Sequence, residues 1–451
     1  MQLTSYWLQY RKLLIIAVAS IAGVLVILNI EWIGLVGSTM TVSNLRAESY
    51  FGDEKVWVSV GVQSDAFYAL EETRQKFIAD AKRNSDELRE AVAQANATAG
   101  AGVRVARAII VFLPYNIEKF NKELKALFLS VAVMRTHQAP GTKTDLIVGT
   151  PRVGFSFPES LGCTHAVRSS PDDAERCTVV EHAPLKERPG SNPLVLYSNY
   201  IDSMLVLSEF KHGGVYDVLL RADLDTFVTP GFGRWTLPEG LALVTGQGGY
   251  GSENANRHLT WVMKTQLGLS DSGLRGIGST WVGHSGVMVA VAKLTVSAMI
   301  WLHTQEFSIY EKSPAGTDGW PYWHWPVLLL YGGHVAVNQI PADKVLVTDS
   351  NSKVRLDYGT ASNETLPESA LHLHCWHSDD MFSKFRFQMG QYHNLDLTPF
   401  LAMNSTASYA AVIAVSSDRL APAELADIVN DPEKVKANEW LRVFNTSTVH
   451  S

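Results

Sequence analysis

Two kinds of apolar pattern divide the chain. From Leu13 to Ile30 the sequence LLIIAVASIAGVLVILNI carries no charge over 18 residues, and apolar residues continue with interruptions to Val36. That length predicts a helix able to cross a bilayer. From Arg104 onward the apolar residues come instead in short runs and helical stripes. RVARAIIVFLP (104–114) predicts a strand, IEKFNKELKALFLSVAVMRTH (117–137) an amphipathic helix and TDLIVGTP (144–151) a second strand. CTVVEHAP (177–184) continues the pattern, and the helical tract NPLVLYSNYIDSMLVLSEFKHG (192–213) leads into VYDVLLRADLDTFVTPGF (215–232). Strands alternating with helices predict an α/β fold whose parallel-rich sheet is covered on both faces.

Between the two regions, 37–101 contains the polar, helix-favouring tract ALEETRQKFIADAKRNSDELREAVAQANATAG. It reads either as a stem or as a solvated helix packed on the following domain. The expected organisation is therefore a tail over 1–12, a membrane anchor over 13–36, a stem over 37–101 and a catalytic domain over 102–451. Arg11 and Lys12 stand before the apolar span and Glu31 follows Ile30. That asymmetry points the short N-terminus to the cytoplasm and the rest to the lumen of the Golgi or ER, as a single-pass type II protein. A cleaved signal peptide is the competing reading, favoured by Ala17-Val18-Ala19 and disfavoured by the length of the apolar region.

The strand around Leu219 raises the chemical question, because Arg221, Asp223 and Asp225 end an otherwise apolar run. Carboxylates at the carboxyl end of an interior strand stand where open α/β sheets bind ligands. Two residues apart on an extended chain they project to one side, and hard oxygen donors suit Mg²⁺ or Mn²⁺ holding phosphates. Helix caps and Asx-turns use the same residues, so the tripeptide alone leaves both readings open.

Composition narrows the classes. With 46% hydrophobic and 18% charged residues the chain can bury a large core, and a net charge of −7 argues against a general nucleic-acid binder. Acceptors for N-glycosylation occur at Asn96, Asn363, Asn404 and Asn445, which agrees with a luminal location. Of three cysteines, Cys163 and Cys177 bracket a polar loop that an oxidising compartment could close, leaving Cys375 unpaired.

In this order of elements the region from Arg104 to Phe387 resembles the GT-A class of glycosyltransferases, which hold a divalent metal and a nucleotide sugar on a Rossmann-like sheet with a DxD motif. Arg221-Ala222-Asp223-Leu224-Asp225 matches the DxD, and also looks like the R-x-E-x-D form of fungal Golgi α-mannosyltransferases. GSTWVGHSGVMVA (278–290) is similar to the F-N-S-G-V-M strand beside the donor sugar, with His284 in place of Asn. GTDGWPYWHWPVLLLYGGHVAVN (316–338) occupies the place of an acceptor-side acid. ALHLHCWHSDDMFSKF (370–385) resembles the C-terminal H-x-x-G-x-x-K segment without its Gly.

The resemblance implies Mn²⁺ (or Mg²⁺) held by Asp223, Asp225, His374 and His377. It implies a UDP- or GDP-sugar contacted by Asp223, Arg221, His284, Ser285, Gly286 and Lys384. Asp318 is the catalytic base if the reaction inverts, whereas the mannosyltransferase likeness leans toward retention, for which no nucleophile is named, so the stereochemistry stays open. Glu253, Asp379 and Asp380 are secondary candidates for the base. His372 shares a strand face with His374 and is the third candidate imidazole. Trp320, Tyr322, Trp323 and Trp325 could stack on an acceptor sugar or pack in the core. The expected partners are the nucleotide sugar, a glycan or glycoprotein acceptor and a membrane. Two other readings remain: a catalytically silent domain of the same fold that binds a glycan or a partner enzyme, and a metal-dependent phosphohydrolase.

The topology makes one prediction: the chain expressed through the secretory pathway gains mobility when treated with an N-glycosidase. An unshifted, cytosolic product would reject it.

Overall fold

In side-chain detail the computed structural model describes residues 72, 74–95, 105–114, 116–151, 156–183, 202–307, 323–349, 351–360, 364–375, 382–438 and 440–441. The chain separates into two compact units, Met1–Phe77 and Ile78–Ser451. The expected tail, membrane anchor and the start of the stem belong to the first unit and lie outside this set. In the second unit the strands are β1 (Val105–Phe112), β2 (Thr142–Thr150), β3 (Cys177–Glu181), β4 (Val218–Arg221), β5 (Thr226–Val228), β6 (Leu243–Gln247), β7 (Ile277–His284), β8 (Val345–Val347), β9 (Tyr358–Gly359) and β10 (His372–His374). The helices used below are α1 (Ser64–Thr98), α2 (Glu118–Arg135), α3 (Ser198–Ser208), α4 (Glu253–Trp261), α5 (Ser285–Trp301), α6 (Leu328–Val337), α7 (Lys384–Gln388) and α8 (Thr406–Arg419).

Seven strands form the main sheet in the order β8-β6-β7-β4-β1-β2-β3. Neighbours run parallel except for β7, which is antiparallel to both β6 and β4. Two-residue alternation assigns the faces. Ile109, Val111, Leu146, Val148 and Leu220 share a core with Leu127, Phe128 and Val131 of α2 and Tyr409, Val412 and Ile413 of α8. The intervening Ile110, Ile147 and Leu219 are equally buried but face the other side. That side is covered by α3, α5 and α6. The sheet is thus a mixed, parallel-rich α/β sheet with helices on both faces, the architecture the alternating pattern predicts.

A close approach explains one glycine pair. A side-chain carbon on Gly332 of α6 would come within 2.5 Å of Met299 in α5, and one on Gly333 within 2.5 Å of the Trp281 ring in β7. Helix α6 is therefore wedged between a helix and a strand without side chains to hold it off. Helix α5, with its extension to Glu306, is long and apolar enough to cross a membrane, yet most of it is buried inside the domain. It is a core helix. From Ile78 the helix α1 belongs to this unit: Asn84 donates to the Ser297 hydroxyl (2.9 Å) and Lys293 pairs with Glu87 (2.8 Å).

Topology places the site. From β1 the chain adds β2 and β3 outward on one side, then returns through α3 to lay β4 against the other side of β1. Strand order reverses there, and in open α/β sheets that switch point, at the carboxyl ends of β1 and β4, is where ligands bind. Asp223 and Asp225 leave β4 at that point. The chain turns at once into β5, which joins β9 and β10 in a separate three-stranded sheet.

Cys163 and Cys177 are joined, with Cα atoms 4.4 Å apart, and Thr164 bridges to Thr178 alongside. Closing a loop of this length removes about 3 kcal/mol of unfolded-state entropy. Reduction should lower the unfolding free energy in urea by about that amount. Peptide mapping under non-reducing conditions that found two free thiols would refute the pairing.

Candidate metal and nucleotide site

The pairing of β10 with β5 assembles the site. In this antiparallel register His374 lies opposite Thr226, the residue after Asp225, and the Cys375 amide donates to the Asp225 carbonyl at 3.0 Å. A histidine about 150 residues downstream is thereby locked beside the carboxylates. Ligand atoms of Asp223, Asp225 and His374 all lie within 4.8 Å of one another. Two carboxylates and an imidazole are a donor set that fits Mn²⁺ or Mg²⁺.

Each carboxylate already has a cationic partner. Lys384, the first residue of α7, donates to Asp225 Oδ2 at 2.6 Å, and His374 Nε2 stands 3.6 Å from Asp225 Oδ1. Burial opposes ionisation of Asp225, but the His374 and Lys384 charges more than reverse this and hold its pKa well below the usual carboxylate range. Burial likewise opposes the charges on His374 and Lys384. Asp225 and Asp357 raise the first, and Asp225 with Glu123 raises the second. Arg221 is buried at the end of β4. It donates to Asp223 Oδ1 (2.7 Å), the Ser279 carbonyl (2.7 Å) and the Ser203 hydroxyl (3.1 Å). Its guanidinium is engaged in holding Asp223 and β7 in place.

The expected donor-side residues fall elsewhere. Because β7 is antiparallel to β4, Trp281 lies opposite Arg221 and His284 opposite Val218. His284 is thus about 10 Å along the sheet from the carboxyl end of β4. The Ser285 amide donates to the Asp217 carbonyl at 3.1 Å, and Gly286 follows it in α5. His284, Ser285 and Gly286 therefore stand at the amino end of β4, away from the carboxylates. The part of β7 that reaches the site is its start, Gly278 to Thr280.

His372 is fully buried with its pKa lowered to about 4 by burial, and neither ring nitrogen has a hydrogen-bond partner. It is a neutral core histidine. Asp318, His377, Trp320, Tyr322, Asp379 and Asp380 lie outside the described residues. Glu253 is in the first turn of α4, its side chain almost fully exposed, near Arg257. Trp323 stacks on Phe307 and Tyr331 at 4.6 Å each, and Trp325 donates to His303, so both rings are engaged in packing.

Two acidic residues beside the site escaped the motif reading. Asp357 accepts from the Thr280 amide (3.1 Å) and hydroxyl, and lies 3.2 Å from His374 Nδ1. Glu123 of α2 accepts from Gln388 and lines a small cavity with Asp225, Phe227, Cys375, Phe382 and Lys384. Nothing local distinguishes Asp357 in LDYGT. Glu123 carried a signal: its helical spacing to Leu127, Ser130 and Met134 puts a carboxyl on a buried stripe.

Residues 102–442 match a family model described as a domain of unknown function, DUF7164. The chain belongs to that family. No curated protein matches the sequence. The DUF7164 domain is also similar to solved glycosyltransferases at low superposition. Mouse xyloside xylosyltransferase 1, in its apo form, is 11% identical with a TM-score of 0.29, covering 57% of this chain and 87% of that one. The galactosyltransferase LgtC, in complex with donor and acceptor sugar analogs, is 12% identical with a TM-score of 0.31, covering 63% and 95%. The glycosyltransferase GlyE of Streptococcus pneumoniae TIGR4 is 10% identical with a TM-score of 0.28, covering 55% and 46%.

Burial, and then the neighbouring Asp225 charge, push the Glu123 pKa up to about 8. The folded DUF7164 domain therefore binds this proton more tightly than the unfolded chain, whose glutamates titrate near pH 4.3. Stability contributed by the bound proton is lost as pH rises from about 5 to 8, by at most about 1.4 kcal/mol per pH unit. Glu123→Gln should flatten that decline and be more stable than the parent at pH 8. Urea unfolding across the range measures it, and parallel pH profiles for the two proteins would contradict it.

Proposed function

We propose that this protein is a metal-dependent glycosyltransferase that moves a hexose from a UDP- or GDP-sugar to a glycan or glycoprotein acceptor, as a type II membrane protein of the Golgi or ER. One observation carries the reading: Asp223, Asp225 and His374 converge within 4.8 Å at the carboxyl end of β4, beside the point where strand order reverses. A bound Mn²⁺ or Mg²⁺ would supply charge neutralisation to a departing nucleoside diphosphate. Asp225 and Asp223 would hold the cation with His374. Arg221 keeps Asp223 in position, and Lys384 offers a further positive charge to the diphosphate. Asp318 is the proposed acceptor-side base for an inverting reaction.

The Lys384–Asp225 contact favours a second reading, in which the domain has the fold without the activity, because an ammonium already satisfies that carboxylate at 2.6 Å. A two-metal phosphohydrolase is supported less. Among the described residues one group of three candidate ligands occurs, where that chemistry would need two metal sites.

Calorimetric titration of Mn²⁺, then of UDP- and GDP-sugars in its presence, separates these readings. The parent should bind Mn²⁺ and one nucleotide sugar. Asp225→Asn should lose metal-dependent nucleotide binding and at least about 100-fold of turnover while keeping its fold. Asp318→Asn should spare both binding steps and slow transfer. Parental Mn²⁺ affinity and turnover in Asp225→Asn would reject the glycosyltransferase reading, and a parent that binds neither metal nor nucleotide sugar would leave the silent domain.

A further inference from the structure

Asp357 is held more elaborately than a core residue requires. It is non-glycine yet adopts a left-handed backbone with φ 54°, which costs on the order of 1 kcal/mol. Its carboxylate is buried in a slot formed by two glycines on adjacent strands. A side-chain carbon on Gly246 of β6 would stand 2.0 Å from Asp357 Oδ2, and one on Gly278 of β7 would stand 2.6 Å from it. The β6–β7 register shifts between Thr245 and Gln247, where Gly246 of β6 stands against Gly278, Ser279 and Thr280 of β7, so the ladder is irregular where the carboxylate enters. Thr280 then fixes it with two donors, the amide to Oδ2 and the hydroxyl to Oδ1.

What this arrangement presents outward is Oδ1, 3.2 Å from Nδ1 of His374, while Nε2 of the same ring faces Asp225. We infer that Asp357 is a positioning residue: by accepting the Nδ1 proton of His374 it fixes the ring and its tautomer, and so directs the Nε2 lone pair at a divalent cation held with Asp223 and Asp225. The inference rests on the metal site proposed above. A carboxylate behind a ligating imidazole sets which nitrogen carries the proton and raises the basicity of the other.

Asp357→Asn tests the donor order with little change of shape, and Asn tolerates the left-handed backbone. With its oxygen retained toward the Thr280 amide, the new amide NH₂ faces His374 Nδ1. The ring must then accept there and turn an Nε2 proton toward the cation. Mn²⁺ affinity of the purified full chain, by calorimetry, should fall about 10- to 100-fold. The nitrogen hyperfine coupling of a directly bound imidazole should be present in pulsed electron paramagnetic spectra of the Mn²⁺-loaded parent and lost in Asp357→Asn, as in a His374→Ala control. A residue that merely packs would lower the thermal midpoint and leave that coupling intact, and this result would overturn the inference.

Should Asp357→Asn fail to fold, Thr280→Val removes one of the donors that hold the carboxylate. It is expected to weaken Mn²⁺ about 3- to 10-fold, and unchanged affinity and coupling would overturn the inference equally. A parent without Mn²⁺ binding overturns the metal site and the inference together. A parent whose binding is lost in Asp225→Asn but unaltered in Asp357→Asn overturns the inference alone.

Discussion

The site depends on a ladder of three residues. Thr226–Val228 pairs antiparallel with His372–His374, and this pairing sets the histidine, far along the chain, beside the carboxylates at the end of β4. Register matters more here than strength. A slip of one residue would present Leu373 in place of His374 and bury the imidazole in the core, because side chains alternate across a strand. Neighbouring contacts guard against that slip: the Thr229 amide donates to the Leu371 carbonyl at 3.1 Å, and the Cys375 amide to Asp225 at 3.0 Å. Tyr409 of α8 adds a hydrogen bond to the Val228 carbonyl at 2.7 Å, tying the small sheet to the helical layer.

Around that ladder the structure solves an electrostatic problem. Buried carboxylates lose hydration, and they persist as ions only where cations and donors replace it. Asp225 has Lys384 and His374, and Asp357 has Thr280 and His374; the half-buried Asp223 is held by Arg221. Asp357 is held down to a pKa of about 2 even though burial opposes its charge. Glu123 lies just outside this network and takes the opposite course, keeping its proton. The same neighbourhood therefore holds carboxylates bound directly to cationic or donor partners and one carboxyl, Glu123, raised first by burial and then by the neighbouring Asp225 charge.

How much of this was legible in the sequence follows from how far each signal reaches along the chain. The strand that delivers Asp223 and Asp225 could be read because its apolar residues and flanking glycines and prolines are local. The alternation of strands and helices gave the covered sheet for the same reason. His374 and Lys384 emerged from an ordered series of motifs, and β10 brings the first of them to its place. His284, Ser285 and Gly286 were misplaced because an apolar strand pattern does not say which end faces the site, and the reversal of β7 put its beginning there. Asp357 was invisible. Its setting lies in Gly246 of β6, Gly278 of β7 and a left-handed backbone, and those come together only when three distant segments meet.

The two cation–carboxylate contacts at the candidate site differ in a way that concerns how the chain acquires its shape. Arg221 and Asp223 are separated by 2 residues, Lys384 and Asp225 by 159. Loop-closure entropy falls lightly on the first contact and heavily on the second, which must await the return of the C-terminal segment. During that interval Asp225 stays hydrated, and the turn from β4 into β5 has only one of its two charges neutralised. The site is therefore complete only once a contact 159 residues apart in sequence has closed, whereas the Arg221–Asp223 contact is available as soon as β4 forms.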